Sequence, residues 1–245
     1  MGGVCKSRAM LTGKTVVITG ANAGIGKETA VDLARRNARV IMACRSAERG
    51  EMAAVEVRRR SNNDNVVFHQ LDLASLASIH EFATQILKQE KQLDILINNA
   101  GVFMLPLWRT KDGFEMHFGV NYLGHFLLTN LLLERLKEAP AARIVNVAAD
   151  IPSWLGGINF DDINSEKSYS RVKAVIQSKL AIILSSQQLA QQLAGTKVTV
   201  NTVHPGIVRN DFGRYLDYWY GYFQVSVVLV ITTCGGVVDG FGTTI

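Results

Sequence analysis

Hydrophobic positions along the chain fall into two alternating patterns. Short apolar runs rich in β-branched residues recur at 16–18, 39–44, 66–71, 93–97, 143–148 and 197–203. They have the signature of strands buried on both faces of a parallel sheet. Between them lie longer stretches with helical spacing, at 27–36, 47–60, 75–91, 112–137 and 172–194. Polar turns such as Asn62-Asn63-Asp64-Asn65 separate the two kinds of element, and 150–169 reads mostly as loop around Gly156-Gly157. Strand and helix alternate with neither an internal repeat nor a linker. The pattern predicts one α/β domain over 1–245, a doubly wound (Rossmann) parallel sheet with helices on both faces.

One stretch breaks the alternation. Residues 215–231 carry Tyr215, Tyr218, Trp219, Tyr220, Tyr222 and Phe223, followed by the run VSVVLVI. The run is too short to span a bilayer. It fits a substrate wall, a peripheral membrane contact or packing against the chain's own core, and these stay open.

Composition narrows the class. The 245 residues are 48% hydrophobic and 19% charged, which suits a globular fold with a large core and excludes disorder. The net charge of +5 is scattered, and Arg58-Arg59-Arg60 reads as a solvated helix end, so no nucleic-acid partner is expected. Cys5, Cys44 and Cys234 are too few for a disulfide framework or a metal site and suit a reducing compartment. The first residues lack an apolar stretch, and MGGVCK has Lys6 where a myristoylation start wants Ser or Thr. The expectation is an intracellular protein, cytoplasmic or peripheral on a membrane surface, with no transmembrane anchor.

Candidate chemistry begins at Lys14–Gly26, KTVVITGANAGIG. A buried strand, a glycine-studded turn through Gly20, Asn22, Gly24, Ile25 and Gly26, and a helix start together build an anion site. Glycine lets the backbone approach a pyrophosphate, and the helix dipole favours negative charge. The spacing is the looser GxxxGxG, but strand and helix flank it as a dinucleotide site requires. Arg45 ends the second strand, where an acidic residue would suit a free ribose 2′-hydroxyl and a basic one suits a 2′-phosphate. It favours NADP(H) over NAD(H), with Lys27 as a helper. Asp72 fits either an adenine contact or a helix cap, with Ser75 beside it as a competing cap. Asn98-Asn99-Ala100-Gly101 closes the fourth strand, and His204-Pro205-Gly206 the sixth. Asn121, inside an apolar helical stretch, is either a structural hydrogen-bond hub or part of a site.

Six motifs in order, TGANAGIG at 19–26, NNAG at 98–101, NYLGHF around Asn121, RIVNV at 143–147, QSKLA at 177–181 and HPG at 204–206, resemble the short-chain dehydrogenase/reductase family. DILINNAGVF and VTVNTVHPGIVR are similar to its retinol dehydrogenase branch. The resemblance implies NADP(H)-dependent oxidoreduction of retinoids or similar lipophilic alcohols and aldehydes. It implies cofactor contacts from the glycine loop, Arg45, Asp72, Asn98, Ala100, Gly101, Lys179, Pro205 and Gly206, with Asn121 and Lys179 in the catalytic set. A homodimer through the helices stays open.

Two family side chains are missing. The tyrosine belongs four residues before Lys179, where Val175 stands, and the serine position after RIVNV falls on Ala148-Ala149. Tyr169 and Lys173 form a second YxxxK. Tyr169 lies six residues before Val175, and six steps of about 100° turn a helical side chain by roughly 240°, away from the site. Ser153 is a further stand-in, weaker than Tyr169. General acid catalysis typically supplies about 10²–10⁴-fold, so the losses predict a catalytically impaired relative that keeps the cofactor, against an active enzyme using Tyr169 or a relayed water. Both ends are short by family standards, and the last edge strand is expected to be missing, leaving a sheet edge unpaired.

Overall fold

Val16 and Ile18 face one side of the central sheet and Val17 the other, and that alternation organises both halves of the core. The computed structural model describes residues 7–149 and 157–206, with the backbone of the strand at 230–233. Elements run β1 (Thr15–Thr19), α1 (Gly24–Arg35), β2 (Arg39–Cys44), α2 (Ala47–Ser61), β3 (Val66–Gln70), α3 (Leu76–Gln89) and β4 (Ile95–Asn98). A π-helical turn (Phe118–Leu123) leads into α4 (Gly124–Glu138), followed by β5 (Ala142–Val147), α5 (Arg171–Gln192), β6 (Val198–His204) and β7 (Val230–Thr233).

The sheet order is β3-β2-β1-β4-β5-β6-β7. The first six strands are parallel, as expected of a doubly wound sheet, and the order reverses between β1 and β4. Helices α1 and α2 cover the face carrying Val16, Ile18, Val40 and Met42. Helices α3 and α4 cover the face carrying Val17, Ile41, Leu96 and Ile144, where Leu128, Leu132 and Leu136 of α4 are fully buried. At the amino-terminal edge, buried Asp94 accepts Lys14 Nζ at 2.8 Å, the Thr15 N–H at 2.9 Å and Gln92 Nε2 at 2.6 Å. This clamp ties β1 to β4 at the end away from the crevice.

Two expectations need correction. The stretch 112–137 is helical only from residue 116. Residues 112–115 are turn and bridge, and the helix runs π-helical from Phe118 before becoming α4. The buried Glu115 carboxylate sets that start, accepting the N–H groups of His117 at 3.0 Å and Phe118 at 2.8 Å. The edge beyond β6 is also not bare. No parallel strand follows β6 among the described residues, but β7 pairs with it antiparallel from Asn201↔Thr233 to His204↔Val230. Ser153 and the side chains of 215–231 lie outside the described residues.

Leu132 makes the core testable. Leu132→Ala should lower unfolding free energy by about 2–5 kcal/mol, read as a lower urea midpoint at unchanged m.

Candidate active site

At the carboxyl end of β1 the chain leaves the sheet through Gly20, at φ +66°, and Gly24, at φ +53°. A Cβ on Gly20 would stand 2.8 Å from Ala100 Cα, and one on Gly26 would stand 2.5 Å from the Gly20 carbonyl oxygen. The turn therefore packs backbone against backbone on the NNAG stretch, which no larger residue permits. Helix α1 starts behind Ala23 with no side-chain cap and no acidic residue in its first turn. Its leading N–H groups meet no capping side chain and its dipole is uncompensated, so the cradle fits an anionic phosphate group. Asn22 and Ile25 are half-buried in this loop. The N–H groups of Ala21 and Asn22 turn toward the buried Cys44 thiol, which burial pushes up to about 11.

Beneath the loop, the Thr19 hydroxyl oxygen accepts the backbone N–H groups of Asn99 and Ala100, each at 2.9 Å. The Asn99 amide returns the bond, donating to the Thr19 carbonyl at 2.8 Å. Thr19 Oγ1 also lies 2.8 Å from His125 Nε2, and His125 Nδ1 lies 2.9 Å from the Asn121 carbonyl oxygen. A carbonyl only accepts, so Nδ1 carries the ring proton and Nε2 takes the Thr19 hydroxyl hydrogen. Burial holds the His125 pKa down at about 4, so the ring is neutral near pH 7. One chain of bonds thus joins the phosphate loop, the NNAG stretch and the π-helical turn.

That turn positions Asn121, which is fully buried. Its side-chain oxygen accepts the Val102 N–H at 2.7 Å, and its Nδ2 donates to the Val102 carbonyl at 3.1 Å and to Ser178 Oγ at 3.0 Å. Ser178 in turn donates to the Val175 carbonyl at 2.7 Å. Lys179, the next residue on α5, donates from Nζ to the Val147 carbonyl at 2.9 Å, and burial pushes its pKa down to about 8. Val175 sits one turn before it on the same helix, so the side chain beside the lysine is aliphatic. Ala149 follows β5 and offers no hydroxyl.

The remaining expected residues are placed unevenly. Arg45 is exposed at the end of β2. Lys27 is not free to assist it, being paired with Glu56 at 2.8 Å. Ser75 caps α3, accepting the Ser78 N–H at 3.3 Å. Asp72 instead accepts the Ala74 N–H at 3.0 Å and pairs with Lys111 at 3.2 Å. The Asn98 amide donates to Thr129 Oγ1 at 2.9 Å and Asn146 Oδ1 at 2.7 Å, within the α4 side of the sheet. Ala100 and Gly101 follow at the β4 exit. Pro205 and Gly206, the latter at φ +73°, follow β6. The Tyr169 hydroxyl donates to the Leu105 carbonyl at 2.7 Å and lies 3.5 Å from His117 Nδ1. It is bonded to neither Lys179 nor Asn121, and burial raises it to about 12. Thr19, His125 and Ser178 were not singled out in the sequence. His125 stands four residues after Asn121 and Ser178 directly before Lys179, and those two spacings were the available signal.

A family model for short chain dehydrogenases matches residues 14–221. The chain belongs to the short chain dehydrogenase family. It is 52% identical over 215 residues to human retinol dehydrogenase 13, covering 87% of this chain and 65% of that protein. It is 55% identical over 214 residues to human retinol dehydrogenase 12, covering 87% of this chain and 67% of that one. The chain thus spans about two thirds of the length of these relatives. Among solved structures, an uncharacterised protein of Mycobacterium paratuberculosis superposes with a TM-score of 0.73 at 41% identity, over 84% of this chain and 73% of that one. Pseudomonas aeruginosa RhlG, in an active-site complex with NADP, gives 0.67 at 27% identity, over 84% of this chain and 77% of that one. Among the described residues no helix is long and apolar enough to cross a membrane.

The neutral His125 has a consequence for acid stability. Its folded pKa is depressed, so as pH falls below about 6.5 the unfolded chain binds a proton that the folded chain refuses. Between pH 7 and pH 5 this removes about 2 kcal/mol of stability. In His125→Gln that increment should disappear from the difference between urea unfolding curves at the two pH values. An equal pH loss in both proteins would contradict the assignment.

Proposed function

We propose that this protein binds NADP(H) as a short-chain dehydrogenase of the lipophilic alcohol and aldehyde class, and that its turnover is impaired. The observation that carries the reading is the pairing of Val175 with Lys179. Lys179 and Asn121 would pass the proton, and the side chain one turn before the lysine has no ionisable hydrogen. The cofactor's contribution, when bound, is a hydride donor or acceptor at its nicotinamide. The chain's residues do the rest.

The glycine turn at 20–26 and the open start of α1 would hold the pyrophosphate, and exposed Arg45 would meet a ribose 2′-phosphate. The RhlG complex with NADP, on the same fold, supports this choice over NAD. Retinol dehydrogenases 12 and 13 as relatives support a lipophilic substrate. The Lys179 amine and the Asn121 turn would carry the proton path. Without a hydroxyl at 175 and at 149, an oxyanion forming on the substrate receives neither a proton nor a hydrogen bond from those positions. The missing acid alone is worth about 10²–10⁴-fold, and the missing donor further, in a non-additive way. Tyr169 does not replace it, since its hydroxyl serves the Leu105 carbonyl.

The test has two parts. NADPH should bind with micromolar affinity by fluorescence titration, and Gly26→Ala should abolish that binding. All-trans-retinal with NADPH should turn over at background, unchanged by Tyr169→Phe. Val175→Tyr with Ala149→Ser should raise the rate by about 10²–10⁴-fold. A robust wild-type rate that Tyr169→Phe removes would establish an active enzyme with that tyrosine as donor and overturn the impairment.

A further inference from the structure

Cations scattered along the sequence are gathered by the fold at one end of the molecule. Strands β1–β6 run parallel and all start there, and each intervening helix returns the chain to it. Helix α2 ends on Arg58-Arg59-Arg60, and α1, α3 and α4 end on Arg35, Lys88 and Lys137. A helix dipole favours cations at such ends. It does not place Arg8, Lys91, Arg143 or Lys197, which lie outside helices at the same end. The acids there are mostly spent. Glu90 takes two Arg39 donors at 2.6 and 2.9 Å, and Asp94 takes Lys14. Asp32, Glu134 and Glu138 pair with Arg36, Lys137 and Arg135. Among the described residues Arg8, Arg59, Lys88, Lys91, Arg143 and Lys197 pair with no carboxylate, and all but half-buried Arg143 are exposed. Asp64 is the one described acid at this end that pairs with no cation. At the carboxyl end of the strands, by contrast, Asp161, Asp162 and Glu166 offset Lys167, Arg171 and Lys173. One apolar side chain joins the cations. Met10 is 63% exposed on the segment that Arg36 holds across the amino end, donating to the Ser7 carbonyl at 2.9 Å. No exposed aromatic side chain accompanies it among the described residues.

We infer that the amino end of the sheet docks on an anionic lipid surface, with Met10 entering the headgroup layer. Unpaired cations gathered on one end are drawn to an anionic leaflet within a Debye length of it. An apolar side chain among them suits the boundary between headgroups and acyl chains. Nucleic acid shares the charge but gains nothing from Met10, and this end offers no exposed aromatic ring to a base. The glycine loop after β1 lies at the opposite end of the same strands, so docking leaves the crevice open to solution. Docking therefore does not depend on the proposed function.

The experiment sediments the full chain with vesicles of equal parts phosphatidylserine and phosphatidylcholine, and with vesicles of phosphatidylcholine alone. The protein should pellet with the anionic vesicles only. Salt raised to about 1 M, where the Debye length is about 3 Å, should release it. Each cation near such a surface is worth about fivefold, so Arg59→Gln, Lys91→Gln and Lys197→Gln together should weaken binding about a hundredfold. Lys167→Gln with Lys173→Gln, at the carboxyl end, should leave it unchanged, and Met10→Ser should weaken it severalfold. If the triple variant fails to fold, the single Lys91→Gln, with its expected loss of about fivefold, decides. No pelleting with anionic vesicles, or substituted cations that leave pelleting at the wild-type level, overturns the inference. A DNA duplex that binds as tightly as the vesicles, with Met10→Ser affecting neither, also overturns it and assigns the face to nucleic acid. A chain that pellets but binds no NADPH supports docking and sinks only the cofactor reading.

Discussion

The Thr19 hydroxyl is the point on which the crevice depends. It is fully buried at the end of β1, takes two backbone N–H groups from the NNAG stretch, and gives its hydrogen to His125. Through His125 it reaches the carbonyl of Asn121, so the glycine loop after β1 and the π-helical turn share one network. Each group in it is satisfied by another, and each would carry a desolvation penalty of about 1–3 kcal/mol if left alone. This is why Gly20 can approach Ala100 as closely as it does without the loop drifting off. The strand order reverses at the same place, between β1 and β4, where a doubly wound sheet opens a crevice.

On the function proposed above, scaffold and chemistry have come apart in this protein. Every element that shapes the phosphate cradle is present, and so are Asn121 and Lys179. The hydroxyls that would complete the proton path are replaced by Val175 and Ala149. Such replacements cost the fold little, because Val175 sits half-buried on α5 and packs as an aliphatic residue does. On the proposed function they cost the reaction much, because an acid within reach of the substrate oxygen has no aliphatic substitute. The Lys179 amine is depressed by its own burial.

The fold was legible from periodicity because strands buried on both faces must be apolar throughout. β2 was expected at 39–44 and is found there. The helix expected at 112–137 misled because Phe118–Leu123 looks apolar at helical spacing while its backbone widens to a π turn, which the residue pattern does not signal. The cradle was legible because glycines at 20, 24 and 26 have no other economical explanation. The hub at Thr19 was not, since a threonine ending a strand is common and its partners lie about eighty residues away. Tyr169 shows the reverse case. Its spacing to Lys173 invites a catalytic reading, and the structure commits its hydroxyl to the Leu105 carbonyl.

The measurement that bears most directly on this account is NADPH titration of Thr19→Val against Thr19→Ser. Valine keeps the shape and removes the hydroxyl, leaving two backbone N–H groups and His125 without their partner. The account predicts that affinity falls at least tenfold in Thr19→Val and returns to near wild type in Thr19→Ser. Equal affinity in all three proteins would contradict it, because the phosphate cradle would then stand without the bond said to organise it.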